Sequence, residues 1–402
     1  MADSSVAIPR PAHVPPALVY DFDISHDPLL QSNMHLGLIE LARRTPEIFW
    51  TPRYGGHWIA RSYEAIFEAA ADPQTFSSDL TKISDHRMML PILLDPPEHH
   101  PYRKILLGVF SPKSVGALLP RIRELTQSVT SRLAKIGHCE FVSEVSEIIP
   151  VTVFMELAGI PLEMRMPLRK LVTASMLEGH HEQRDKLFGE MAALLQDIIR
   201  ARVNTREEDI ISRLMDAEVD GRPLTLEEIT SFILLLTTAG LDTVTNTMSF
   251  IARHLAMDEA LQQEIRSKPS SIPDLIEEML RRYSVSSVLR FATEDTELRG
   301  IQILKGERVH LLVPAGNLDA GIFQDPERII LGRDAPAITF GTGIHRCLGS
   351  HLARLELKTL FEDLLANWPV FRLDPDEPTI ESAGMVYSVD RLPLRWTVPK
   401  IN

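Results

Sequence analysis

Near its C-terminal end the chain reads FGTGIHRCLG, residues 340–349: three glycines, a histidine, an arginine and a cysteine within ten positions. Cys347 is one of two cysteines in the chain; the other is Cys139. A lone cysteine often serves as a small buried hydrophobe, but this setting points to other chemistry. A helix is expected from Leu348 onward, which puts Cys347 at a helix N-terminus, where free backbone N–H groups favour a thiolate over a thiol. Gly341, Gly343 and Gly349 would let the backbone come close to something flat and large. Structural zinc asks for four ligands, and no CxxC pair exists to complete such a site. A single thiolate suits haem iron.

Three other stretches carry reactive residue types at suggestive spacing. In EEMLRRY (277–283), Glu278 and Arg281 share a helix face; read alone, they are a surface ion pair of little energy. In HHPYRKILLGVF (99–110), His99 and Arg103 share a face. That pair suits a ligand bearing carboxylates, or else forms a solvated basic face. In PLTLEEITSFILLLTTAGLDTVTNTMSFIARHL, Thr225 and Glu228 form a capping box, with Leu224 and Ile229 placed as a hydrophobic staple, and a long helix follows. Its middle is poor helix material: Gly240 costs about 1 kcal/mol relative to alanine, and Thr237, Thr238 and Thr243 are weak interior formers. The Thr243 hydroxyl is placed to bond back to the Ala239 carbonyl and open the local ladder. Leu235, Ala239 and Thr243 fall on one face, with Asp242 about one hundred degrees round. The plain alternative is a threonine-rich buried helix with a packing glycine.

These motifs resemble the cytochrome P450 superfamily. FGTGIHRCLG agrees with the haem-binding loop FGxGxHxCxG at every fixed position. The resemblance implies haem b (iron protoporphyrin IX) with Cys347 as axial thiolate and Phe340 beside the sulfur. It places His99, Arg103, Arg290 and His345 at the propionates and Gly349 in the cradle. Glu278 and Arg281, with Arg333 from DPERIILGR, resemble the family's structural triad. AGLDT resembles the (A/G)GxDT of helix I, whose widened groove admits dioxygen; Asp242 and Thr243 would then be the acid–alcohol pair that delivers protons. The implied fold is mainly α with a smaller β portion, a triangular prism-like arrangement with the long central helix I over the haem. The implied activity is a monooxygenase that turns C–H into C–OH with dioxygen and two electrons. A haem-thiolate sensor has no need of Asp242 and Thr243, and a peroxide-driven enzyme usually lacks that pair.

LVYDFDI, GGHWIA, FSSD, LDPPE, DGRPLT, AGLDTVTN and MLRRYS are similar to the soluble bacterial camphor-hydroxylase subfamily. That similarity implies electrons from a [2Fe–2S] ferredoxin reduced by an NADH-dependent flavoprotein, with Arg103 and Lys104 in the docking site. His100 and the Asp334 region lack charges that relatives carry there. Camphor hydroxylases hold the ketone with a tyrosine shortly before DPPE, but here that stretch, ISDHRMMLPILLDPPE, has none. By position the pocket comprises Met89, Ile92, Met176, Leu235, Thr238, Ala239, Ser286, Met385 and Val386. It is mainly apolar and methionine-rich, hence adaptable. This favours a hydrophobic terpenoid larger than camphor, an ionone-like norisoprenoid, with Thr238 and Ser286 as the hydroxyls left to orient a carbonyl.

The elements that must position these groups are mostly helices. From about His99 to Arg281 apolar residues recur at helical spacing, and LGSHLARLELKTLFEDLLANW (348–368) continues the pattern. GGHWIARSYEAIFEAA reads as strand then helix, FATEDTELRGIQILKGERVHLLV (291–313) as hairpins around Gly300 and Gly306, and VYSVDRLPLRWTVP as strand. The 402 residues are expected to form one domain, 1–402, with a proline-rich arm over 1–16; 44% are hydrophobic, enough for a large core. A net charge of -13 excludes a nucleic-acid partner. Two cysteines fit a reducing compartment. The N-terminus has no apolar signal core, and the longest apolar run, FILLL (232–236), is too short to span a bilayer. A cytoplasmic monomer without membrane attachment is expected.

Overall fold

The computed structural model describes residues 7–79, 89–177 and 181–398. Its helices are α1 (Met34–Arg44), α2 (Tyr63–Ala71), α3 (His99–Leu107), α4 (Pro112–Gly116), α5 (Leu119–Leu133), α6 (Ile148–Ala158), α7 (Arg165–Leu177), α8 (His181–Ala201), α9 (Ile210–Met215), α10 (Leu226–Met257), α11 (Glu259–Ser267), α12 (Ile272–Arg282), α13 (Val313–Gly316) and α14 (Ser350–Asn367). The strands are short: β1 (Ile48–Thr51), β2 (His57–Ala60), β3 (Phe76–Ser77), β4 (His138–Glu140), β5 (Glu218–Val219), β6 (Arg222–Pro223), β7 (Val288–Ala292), β8 (Thr296–Leu298), β9 (Ile301–Ile303), β10 (Arg308–Leu311), β11 (Phe371–Leu373), β12 (Ile380–Ser382), β13 (Ser388–Arg391) and β14 (Pro393–Trp396). The expected mainly helical fold with a smaller β portion is what forms. No single helix among the described residues is long and apolar enough to cross a membrane.

The longest helix, α10, organises the rest. Its start is the expected capping box: the Glu228 N–H donates to Thr225 Oγ1 at 3.2 Å, and the Thr225 N–H donates to Glu228 Oε2 at 2.8 Å. Leu224 and Ile229, the staple pair, are both buried. The N-terminal half of α10 packs Phe232, Ile233 and Leu241 into one core with α6, α8 and α9. Its C-terminal half packs Met248, Phe250, Ile251 and Leu255 into a second core with α12 and α14. Across the seam α10 stays α-helical throughout, so the expected local opening does not occur. Gly240 has a packing reason: a Cβ there would sit 2.9 Å from the Phe154 ring on α6.

A five-stranded sheet, ordered β1-β2-β10-β7-β3, covers a third core that includes Trp58, Val309 and Ile338. All its pairs are antiparallel except β2 with β10, where Val309 pairs with Trp58. The turn at Gly300 closes the expected β8–β9 hairpin. The turn at Gly306 does not close a hairpin. It carries the chain from β9 into the larger sheet, where β10 pairs with β7. The C-terminal tail divides between two sheets, β13 pairing with β12 and β14 lying between β11 and β4.

Burial makes this fold sensitive to pH in both directions. His35 is buried and its pKa falls to about 3; His310 is buried and His254 half-buried, and both fall to about 4. Each binds a proton near pH 6.5 only when unfolded, so each withdraws stability as pH drops from 6.5 toward 4, by roughly 3 kcal/mol apiece. Glu356 on α14 is buried, its Oε1 has no partner, and burial pushes its pKa up to about 8. Its folded form keeps a proton that the unfolded form releases near pH 4.5, so it withdraws stability as pH rises toward 8. Below pH 6.5 the three histidines outweigh the single glutamate. Urea unfolding is therefore expected to give maximal stability near pH 6.5, with an alkaline decline that Glu356→Gln flattens. An alkaline limb unchanged in that variant would contradict this assignment.

Candidate active site

The cysteine loop is fixed from both sides. The Cys347 N–H donates to the Phe340 carbonyl at 2.8 Å, and the Gly349 N–H donates to the Cys347 sulfur. Helix α14 begins at Ser350 with Gly349 as its cap, two residues later than expected at Leu348. Gly341 and Gly343 take φ of +67° and +68°. The close approach at Gly343 is to helix α2: a Cβ there would fall 2.4 Å from the Ala70 carbonyl oxygen. Its glycine is therefore explained by packing against protein, and not by a flat partner. The Arg354 guanidinium lies over the Phe340 ring, 4.5 Å from its centre.

The surroundings of the thiol pull in two directions. Cys347 is accessible to solvent, yet protein surrounds it densely enough that burial pushes its pKa up. The Gly349 N–H and the charges of Arg103, Arg346 and Arg354 pull the other way without overcoming it. An accessible sulfur in dense surroundings opens onto an internal cleft. A cation at the sulfur would pull the same way as these charges and favour the thiolate.

Around this loop stand cationic and hydrogen-bonding side chains, some with ring nitrogens left unpartnered. The His99 ring on α3 meets the His345 ring edge-on, with centres 4.6 Å apart. His99 Nε2 and both His345 nitrogens are buried without a partner. Burial and the Arg103 charge lower His99 to about 4; burial, Arg290 and His99 lower His345 to about 3. Arg103 donates to the Arg346 carbonyl. Arg290 on β7 is buried, and the neighbouring Leu289 carbonyl, at 2.9 Å, is its hydrogen-bond partner. Burial lowers its pKa to about 10. A buried cation and unsatisfied ring nitrogens are costly unless a partner joins them.

Helix α10 faces the cleft with an accessible stripe in an otherwise sealed stretch. Ala239 is exposed and Leu235, Thr238, Asp242 and Thr243 are half-buried, while Ser231–Leu234 and Thr245–Ile251 are buried. The Thr243 hydroxyl donates to the Ala239 carbonyl at 3.0 Å, as expected. Thr238 does the same to Leu234 at 2.9 Å. Asp242 turns to Arg169 on α7, 4.0 Å away. Burial raises the Asp242 pKa, Arg169 opposes this, and the Glu147 and Asp390 carboxylates add to it. Arg169 also pairs with the buried Glu147. Neither Arg169 nor Glu147 is marked by any motif in the sequence.

The remaining expected residues are placed as follows. The backbone N–H groups of Met89 and Leu90 donate to Ser231 Oγ at 2.8 and 2.9 Å, which lays that segment against α10 one turn before Leu235. Ile92 is exposed. Met176 lies on α7, and its side chain is outside the described residues, as are residues 83–88 of the stretch that lacks a tyrosine. Ser286 bridges Val386, and the Ser287 N–H donates to the Met385 carbonyl at 3.0 Å. Glu278 and Arg281 are joined by two bonds of 2.8 Å, and Arg333 Nε adds a third of 2.8 Å to the same carboxylate. The pair is fully buried, not on the surface. Burial alone would raise the Glu278 pKa; the Arg281 and Arg333 bonds outweigh it and hold the carboxyl low.

Comparison with known proteins now adds to this geometry. A family model described as cytochrome P450 matches residues 139–389. A probable cytochrome P450 127A1 from Sinorhizobium fredii is 30% identical over 405 residues, covering 96% of this chain and 97% of its own. A steroid C26-monooxygenase from Mycobacterium tuberculosis is 31% identical and covers 84% of this chain and 94% of its own. Among solved structures, CYP101J2 superposes with a TM-score of 0.87 at 34% identity, covering 97% of this chain and 100% of that one. CYP101C1 gives 0.86 at 31% identity, covering 96% and 100%. The chain therefore belongs to the cytochrome P450 family, with haem b as its cofactor and monooxygenation as its class of reaction.

Proposed function

We propose that this P450 hydroxylates a C–H bond of a small hydrophobic terpenoid, ionone-like in size, using dioxygen and two electrons from a [2Fe–2S] ferredoxin with its NADH-dependent reductase. The observation that carries the site reading is the set of unpartnered ring nitrogens of His99 and His345, with the buried Arg290, beside Cys347. These residues fit haem b: buried cations and donors for two propionates, and one soft sulfur for iron. In this reading Cys347 is the axial ligand, His99, Arg103, Arg290 and His345 bind the propionates, and Phe340 and Gly349 frame the sulfur. Bound haem supplies the activation of dioxygen and the insertion of one oxygen atom into the substrate.

The protein's own part is proton handling and positioning. Asp242 is the proton holder, since burial raises its pKa and Arg169 keeps it oriented. The Thr243 hydroxyl passes the proton inward by exchanging its bond to the Ala239 carbonyl for one across the cleft. Arg103 is half-buried and Lys104 exposed on α3, which suits a docking site for an acidic electron carrier. The two cysteines are unbonded, which fits a reducing cytoplasm, and the chain acts as one domain.

Thr243→Ala is expected to bind substrate as before but to release hydrogen peroxide in place of product, measured as product formed per NADH consumed. Unchanged coupling would remove Thr243 from the relay. The substrate reading has its own test, titration of ligands into the ferric protein while following the haem band. An apolar ligand that fills the pocket gains roughly 25 cal/mol for each Å² buried. Camphor, without a tyrosine to hold its ketone, should give a weak and incomplete spin shift, and β-ionone a larger one. A complete shift with camphor and none with β-ionone would overturn the ionone-like assignment.

A further inference from the structure

Two hydroxyls reach the proposed pocket, and their hydrogen-bond accounts differ. Thr238 spends its proton within α10, on the Leu234 carbonyl at 2.9 Å. Its proton is already committed, so donating to a ligand would first cost it that bond. Ser286 is half-buried and its hydroxyl has no hydrogen bond to any described residue. Its proton is free.

Ser286 also points the right way. It lies in extended chain two residues before Val288, where β7 begins, and pairs with Val386. Side chains two apart in extended chain share a face, so Ser286, Val288 and Arg290 point together. Arg290 is the residue whose charge depresses His345 in the cysteine loop. The partner segment runs on to Val389, whose N–H donates to Asn246 Oδ1 on α10 at 3.2 Å, one turn beyond Thr243. Ser286 thus sits between the cysteine loop and the accessible stripe of α10, and Ser287 faces away.

From the free proton and this placement we infer that Ser286 is the hydrogen-bond donor that orients a carbonyl group of the substrate, and that the pocket therefore selects apolar ketones over their deoxygenated counterparts. The inference rests on the terpenoid reading above and goes further by naming the functional group and the residue that reads it. Thr238 could hold the carbonyl only by giving up its bond to Leu234, whereas Ser286 has no bond to give up.

The test uses the haem-loaded protein and two probes, β-ionone and its analogue with CH₂ in place of the carbonyl. Their dissociation constants are measured by equilibrium dialysis. Wild type should prefer the ketone by about fivefold to tenfold, the worth of one hydrogen bond. Ser286→Ala should abolish the preference by weakening the ketone alone. Ser286→Thr and Thr238→Val should both keep it. Unchanged binding of the hydrocarbon by each variant shows that the pocket is intact. A preference that survives in Ser286→Ala, or is lost in Thr238→Val, overturns the inference and leaves the terpenoid reading standing. If wild type binds neither probe, the terpenoid reading falls and the inference with it.

Discussion

Cys347→His is expected to abolish the absorption band that the reduced protein gives with carbon monoxide when a thiolate ligates the iron, and to drop product formation to the background of free haem. The sulfur is accessible in the cleft, receives the Gly349 N–H, and stands near Arg103, Arg346 and Arg354. The other cysteine, Cys139, is buried in β4 against β14 and is driven to a very high pKa by burial. It cannot substitute. Spectra of the reduced protein with carbon monoxide check this, and a surviving band would mean that the ligand lies elsewhere. Cys139→Ala serves as the contrasting variant and should leave the band in place.

Glu278→Ala should destabilise the protein by about 3–5 kcal/mol, because it leaves the Arg281 guanidinium buried and uncompensated. Two further groups lean on the same carboxylate, and Arg281 is held elsewhere as well. Arg333 bonds it at 2.8 Å, the Ile330 N–H bonds it at 3.0 Å, and Arg281 itself also donates to the carbonyls of Asn317 and Pro326 at 2.8 and 3.0 Å. The carboxylate therefore ties α12 to the segment that leads into the cysteine loop. Urea denaturation measures the loss, and the fraction of haem retained on gel filtration should fall with it. A change below 1 kcal/mol would mean that the ion pair is offset by its own desolvation, as buried pairs sometimes are.

How much of this could be read from the sequence depended on how local the cause was. The capping box at Thr225 and Glu228 was legible because both bonds close within four residues. So was the Thr243 bond to Ala239, one helical turn back. The Glu278–Arg281 pair was visible, but its burial was not, since helical spacing gives a shared face and not the depth of that face. Gly240 is the packing glycine of the plainer reading, and Gly343 owes its size to protein as well: a distant chain segment presses on each, Phe154 in one case and Ala70 in the other. Arg169 and Glu147 left no trace, because nothing in either segment announces that α7 will cross Asp242. Glu356 did leave one. It lies four residues from both Leu352 and Leu360 on α14, each of them buried, so a charged residue stood on an apolar stripe and went unremarked.

The parallel pairing of β2 with β10 has a consequence for how the protein is made. It joins Trp58 to Val309, about 250 residues apart, and contacts so distant in sequence form late. The cysteine loop comes later still along the chain. A ribosome will have released α3, with His99 and Arg103, and the whole of α10 well before Cys347 emerges. The residues that hold charge and proton groups are thus made before the one that holds the sulfur, while the C-terminal half of α10 must wait for α14 to complete its core. Haem capture is then an event at the end of translation, and nascent chains arrested before residue 347 should bind no iron through sulfur.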